Sequence, residues 1–131
     1  MSMSFWTLRC YEIRILTERT GWTTREIAER GPVLITTLGK KGSIIATPDG
    51  KVIRIRPCRP KKVVDPTGAG DAYRAGFLAG FERGYNLKTC GQMGSVAAAY
   101  CIEQQGTQVH AFTRKQFAAR YKKTYGERVK I

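Results

Sequence analysis

The chain has 131 residues, 42% of them apolar and 25% charged, with a formal charge of +13 and a pI near 10. Those proportions belong to globular rather than disordered chains, and the length suits one domain with a core of its own. No apolar run approaches the ~18 residues of a membrane span, and Arg9, Glu12 and Arg14 interrupt any signal-peptide core. Four cysteines without a CxxC pair, beside a single histidine, leave neither a zinc knuckle nor a disulfide framework, so a cytoplasmic protein with reduced thiols is expected.

In chain order, Thr24–Arg30 reads as a short helix with Thr23 or Thr24 as N-cap and Gly31-Pro32 as terminator. Val33–Leu38 is an unbroken β-branched and apolar run, the pattern of a strand buried on both faces, and Gly39 ends it. Ser43–Thr47 and Val52–Ile55 flank Pro48-Asp49-Gly50, which predicts a hairpin. Val63-Val64 reads as a short strand running into Asp65–Asp71, and Ala72–Arg83 follows with Tyr73, Phe77, Leu78 and Phe81 at helical spacing. Lys88–Gln105 is a second amphipathic segment whose Met93, Val96, Ala97, Tyr100 and Cys101 share one stripe. Thr113–Tyr125 completes the set, with Thr113 as N-cap and Phe117, Tyr121 and Tyr125 four apart. All three stripes are read as faces turned to a core.

The positive surplus attracts polyanions of any kind: nucleic acid, anionic lipid or a phosphorylated small molecule. It gathers in Lys51, Arg54, Arg56, Arg59, Lys61 and Lys62, and again in Arg114, Lys115, Arg120, Lys122, Lys123, Arg128 and Lys130, opposed there only by Glu127. Neither run is interleaved with aromatics as a base-stacking surface would be, so both are read as solvated surface, and nucleic acid is not an expected partner. His110 has no acid or nucleophile nearby, and Cys90 and Cys101 are read as packed thiols.

The chemistry concentrates in Asp65-Pro66-Thr67-Gly68-Ala69-Gly70-Asp71-Ala72. Glycines let the backbone turn tightly and a ligand come close, and the helix that follows presents unpaired N–H groups with about half a positive charge at its start. Asp71 stands beside the place an anion would take, where its carboxylate could accept a proton from an attacking hydroxyl while the amides of Gly68, Ala69 and Gly70 hold developing charge. Taken alone, such a pattern reads first as a cap and a turn. It is not a P-loop, and Tyr73 stands where a dinucleotide fingerprint requires glycine.

The company the loop keeps resembles the PfkB carbohydrate kinase family, also called the ribokinase family. Its signature D-[TP]-x-G-A-G-D-[AS]-[FY] is matched by Asp65 through Tyr73, with AGFLAGF following; its T-L-G-x-x-G element is matched by Thr37–Gly42; a later glycine loop is matched by Gln104–Gln108. The resemblance covers roughly residues 8–126 and inclines toward the adenosine-kinase-like branch. It implies an ATP-dependent phosphotransferase acting on a hydroxyl of a sugar or nucleoside, adenosine among the candidates. Asp71 would be the catalytic base and Gly68, Ala69 and Gly70 the anion hole. Thr37, Gly39, Gly42 and Gly106 would contact ATP, and Asp65 and Thr67 would hold a monovalent cation such as K+. Magnesium would accompany ATP. The family's N-x-x-E motif, which organises that magnesium through water, is matched by Arg9-Cys10-Tyr11-Glu12, with Glu12 kept and arginine in place of asparagine.

The fold so implied is α/β, a partial ribokinase-like, doubly wound sheet with flanking helices and a small β-hairpin. Family members are much longer, so residues 8–131 resemble the C-terminal part of such a domain and residues 1–7 do not resemble it. The alternative function is an inactive nucleotide-binding or protein-interaction module of the same descent; a basic nucleic-acid binder is favoured by charge alone. Removing the neighbouring strands would leave Val33–Leu38 with an unpaired edge. Light scattering should therefore find a homo-oligomer, or an assembly with a complementing chain, and a monodisperse monomer would refute this.

Overall fold

The computed structural model describes residues 5–9, 33–47, 50–65, 67–103 and 113–129. The expected Thr24–Arg30 helix, the turn residues Pro48 and Asp49, Glu12, Gln104–Gln108 with Gly106, and His110 lie outside the described residues. The chain forms two compact units, Met1–Ile55 and Arg56–Ile131.

In the first unit, strands β1 (Phe5–Arg9), β2 (Val33–Thr37), β3 (Ser43–Ala46) and β4 (Val52–Ile55) make one sheet in sequential order. β1 runs parallel to β2, with Phe5 opposite Val33 and Arg9 opposite Thr37. The β2–β3 and β3–β4 pairs are antiparallel. Val33, Leu34 and Ile35 are all buried, so successive residues are covered on both faces, as their unbroken apolar run predicts. The β3–β4 hairpin forms where expected: the Thr47 amide donates to Lys51 O at 3.0 Å, the Gly50 amide to Thr47 O at 3.0 Å, and Gly50 has φ 88°.

One expectation is corrected. β2 is not left with a bare edge, because β1 pairs along one side and β3 along the other; among the described strands the free edges belong to β1 and β4. The strand that pairs with β2 on that side begins at Phe5.

The second unit is built on three described helices, α1 (Ala69–Glu82), α2 (Leu87–Ile102) and α3 (Arg114–Tyr125). Asn86 caps α2, its side chain accepting from the Thr89 amide at 2.8 Å. Thr113 and Gln116 form a reciprocal capping box on α3: the Gln116 amide donates to Thr113 Oγ1 at 3.1 Å and the Thr113 amide to Gln116 Oε1 at 2.8 Å. Gly126, at φ 77°, ends α3 and returns its amide to Lys122 O at 2.7 Å.

α1 and α2 pack through glycines. A Cβ at Gly76 would meet Met93 O at 2.7 Å and Ala97 Cβ at 2.9 Å, one at Gly94 would meet Tyr73 O at 2.8 Å, and one at Gly80 would meet Met93 Sδ at 2.9 Å. So close an approach buries α2 around its circumference from Cys90 to Ala97, where the sequence predicted a single stripe. On α1 the expected face splits: Tyr73 and Phe77 are buried, Phe81 is half-buried, and Leu78 is exposed. Phe117 and Tyr121 of α3 join Met93, Val96, Ala97, Ala99, Cys58 and Val129 in the core.

These contacts define a test. Alanine gains about 1 kcal/mol over glycine inside a helix, but overpacking a filled interface costs about 1–3 kcal/mol, and at Gly76 a backbone oxygen cannot swing aside. Gly76→Ala should therefore lower the urea unfolding midpoint. An unchanged or raised midpoint would mean that the helices part freely.

Candidate active site

Asp65 and Thr67–Asp71 are not buried. Thr67 and Asp71 are exposed, and Asp65, Gly68, Ala69 and Gly70 are half-buried. Gly68 takes φ 83° and ψ 0°, a left-handed conformation that a side chain would resist. That single residue turns the chain directly into α1, which starts at Ala69 rather than at the expected Ala72. The proposed anion-hole residues thus become the N-cap and first turn of a helix. The first intrahelical bond runs from the Ala72 amide to Gly68 O at 2.9 Å, so the amides of Ala69, Gly70 and Asp71 precede it and point out of the helix start.

Both aspartates were open to reading as simple caps. Neither caps α1: its N-cap is Gly68, and no side chain caps it. Asp65 instead accepts from the Thr67 amide at 2.9 Å in a local turn ahead of the helix. Asp71 lies in the first turn, where the helix dipole favours a carboxylate. A Cβ added at Gly70 would meet nothing within 4 Å, so neither backbone angle nor local crowding demands glycine there.

The segment leading into this loop is not the expected strand. Val63 and Val64 have no ladder; the amides of Val64 and Asp65 both donate to Ile102 O, at 2.9 and 3.0 Å. That carbonyl ends α2, and like any terminal carbonyl it lacks an intrahelical partner. The neighbouring residues of α2 hold the same segment. Cys101 Sγ donates to Thr67 O at 3.5 Å, and Glu103 Oε1 accepts from the Lys61 amide at 2.8 Å.

Glu103 is further clamped by Arg120 of α3, whose Nη1 and Nη2 donate to Oε2 at 2.7 Å and Oε1 at 2.6 Å, with both side chains about nine-tenths buried. Arg120 Nη2 also donates to Arg59 O at 3.1 Å, and its guanidinium lies 4.5 Å from the centre of the Tyr100 ring. Arg56 donates to Thr124 O at 3.0 Å and receives the Tyr125 hydroxyl on its own carbonyl at 2.8 Å. Arg120 was expected to be solvated and opposed only by Glu127. Its partner came from another helix, a pairing that local charge counting does not reach. A faint signal existed: Glu103 is the only acid between Glu82 and Glu127.

Burial alone pushes the Cys101 thiol up, and the charges of Asp65 and Asp71 push it further. Burial likewise raises Cys90, to about 11. Both thiols are therefore protonated at neutral pH and are packing groups, as expected. Thr37, Gly39 and Gly42 belong to the first unit, where a single 3-10 turn (Gly39–Lys41) follows β2. Gly39 and Gly42 have φ 61° and 91°, and the Leu38 amide donates to Gly42 O at 2.8 Å across the turn. Among the described residues, no group of three or more His, Cys, Asp or Glu could hold a metal ion, and no helix is long and apolar enough to cross a membrane.

Three comparisons bear on this site. The family model described as pfkB family carbohydrate kinase matches residues 7–114. A nucleoside kinase of Methanocaldococcus jannaschii is 45% identical over 95 residues, which are 72% of this chain and 31% of that protein. The nucleoside kinase of Burkholderia thailandensis, solved in complex with inosine, superposes with a TM-score of 0.89 at 38% identity over 95% of this chain and 41% of that one; it has also been solved in complex with ADP-inosine. The solved M. jannaschii nucleoside kinase, described as an archaeal member of the ribokinase family, gives a TM-score of 0.85 at 38% identity over 92% of this chain and 40% of that one. The fold is therefore ribokinase-like, and the chain spans about a third of the curated relative it matches.

The clamp has a pH signature. Burial works against the Glu103 carboxylate, but the hydrogen bonds from Arg120 and the Lys61 amide, with their charges, hold it below its ordinary 4.5. A depressed carboxyl contributes stability above its unfolded value and loses it as pH falls through its folded value. The stability advantage of the parent over Glu103→Gln in urea should thus be constant above about pH 5.5 and shrink below the ordinary carboxyl value; a gap that widens in acid would contradict the assignment.

Proposed function

Because the chain belongs to the pfkB family of carbohydrate kinases, we propose that it carries the phosphoryl-transfer end of an ATP-dependent kinase acting on a nucleoside or sugar hydroxyl. The observation that carries this is the signature loop folded as an uncapped helix start, with an exposed carboxylate, Asp71, in its first turn. ATP enters as its magnesium complex, whose cation neutralises phosphate charge. The amides of Gly68, Ala69 and Gly70 receive the oxygens of the transferred group. Asp71 takes the proton of the acceptor hydroxyl, the freed oxygen forms a bond to the γ-phosphorus, and the bond to the ADP oxygen breaks.

The remaining assignments follow the family pattern residue by residue. Thr37, Gly39, Gly42 and Gly106 contact ATP, Glu12 acts on magnesium through water, and Asp65 and Thr67 hold K+. The nucleoside kinases among the relatives support a nucleoside as acceptor, with adenosine and inosine the first to try. Residues 8–131 are proposed as the C-terminal part of the family domain, and the free, buried Cys58, Cys90 and Cys101 support a cytoplasmic setting.

A second reading is a catalytically inactive module of the same descent that binds nucleotide or another protein. ATP titration followed by transfer assays on adenosine, inosine and ribose separates the two. In an active kinase, Asp71→Asn should lower turnover by about 10²–10⁴-fold while ATP binding stays at the parent level. Gly70→Ala should keep the unfolding midpoint, because its methyl meets nothing within 4 Å, and weaken ATP binding, because that methyl stands beside the amides proposed to receive the phosphoryl oxygens. ATP bound but not consumed favours the nucleotide-binding module; no ATP binding removes both it and the kinase and leaves a protein-interaction module.

A further inference from the structure

We infer that Glu103 and Arg120 are positioning residues for the phosphate loop, an inference that rests on reading Gly68–Asp71 as the phosphoryl site. No regular secondary structure is present from Arg56 to Asp65, so the approach to the loop takes its shape from its anchors. Two of those anchors belong to one ion pair: Arg120 Nη2 on Arg59 O and Glu103 Oε1 on the Lys61 amide. The next two converge on Ile102 O, one residue before Glu103, and the last is Cys101 Sγ on Thr67 O. Residue 59 is thus fastened to α3 and residues 61, 64, 65 and 67 to the end of α2, and Gly68 turns into α1 directly after the last of them.

The geometry of the pair suits that task better than it suits bulk stability. A buried ion pair is weak evidence of stabilisation, because apolar residues of similar volume often serve as well. Here both partners spend donor or acceptor capacity on backbone groups of the strap, which an apolar pair could not do. Arg120 makes its contacts through one planar fork stacked on Tyr100, a geometry that a lysine ammonium cannot reproduce. Displacing a catalytic loop by about 1 Å can cost on the order of 10²-fold in rate, so a strap with fixed length and fixed ends matters to a base that must meet a hydroxyl.

The test uses the full chain with Arg120→Lys and Glu103→Gln, read by amide cross-peaks, amide exchange and ATP titration. Glu103→Gln keeps the volume and an acceptor for the Lys61 amide, and so serves if Arg120→Lys does not fold. Exchange at Lys61, Val64 and Asp65 should rise about tenfold or more, as expected for loss of a charge-assisted bond. The Gly68–Asp71 cross-peaks should move, those of Met93 and Val96 should not, and ATP should bind about tenfold more weakly. A purely structural pair would lower the urea midpoint and leave Gly68–Asp71 and ATP affinity unchanged, which would overturn the inference. If the Gly68–Asp71 cross-peaks of the parent do not respond to ATP, the phosphoryl-site reading fails, while exchange and cross-peak positions still decide whether the pair positions the loop.

Discussion

The second unit depends on how closely α1 and α2 approach. Gly76, Gly80 and Gly94 remove the atoms that would hold the helices apart, and the contacts pair Gly80 with Cys90, Gly76 with Met93 and Ala97, and Tyr73 with Gly94. The two helices therefore run antiparallel in register. Followed toward the start of α1, the same register brings Thr67 to Cys101 and Val64 and Asp65 to Ile102. The amide-rich start of one helix lies beside the carbonyl-rich end of the other, an arrangement in which the two dipoles favour each other. The loop's position is a continuation of that packing rather than a separate invention.

This register also divides the polar backbone. The amides of Val64 and Asp65 satisfy the terminal carbonyl of α2, Thr67 gives its amide to Asp65, and the amides of the first turn of α1 precede the first intrahelical bond. The other two described helices have side-chain caps from Asn86 and Thr113. At α1 the capping position is a left-handed glycine with no side chain to offer, so no side chain at that position satisfies its first donors.

Much of this was legible in the residues themselves. Local chemistry announced the strand at Val33, the hairpin around Gly50, the Thr113 cap and the Asp65–Asp71 loop, since each depends on groups within a few positions of one another. Features decided by distant partners were not. Val63-Val64 has strand composition, yet its following amides are claimed by Ile102 from the end of another helix. The stripe on α2 widened to a full circumference because glycines on both helices admit a neighbour so near. β1 takes its place in the sheet from pairing with β2, a partner more than twenty residues away. The role of Arg120 needed Glu103, which lies 17 residues away at the end of a different helix.

Separation along the chain also orders the assembly of the site. The glycine contacts join helices linked by one short turn, whereas the anchors of the strap span 42 residues from Lys61 to Glu103 and 61 from Arg59 to Arg120. Closing a longer segment costs more chain entropy, by about 0.6 kcal/mol for each doubling, and contacts of wide span form late when topology governs the rate. The helical hairpin is thus the scaffold that a nascent chain can build from its own neighbourhood. The approach to Gly68 gains its Arg59 anchor only after α3 has been made and has docked, so the strap is completed by the last helix described.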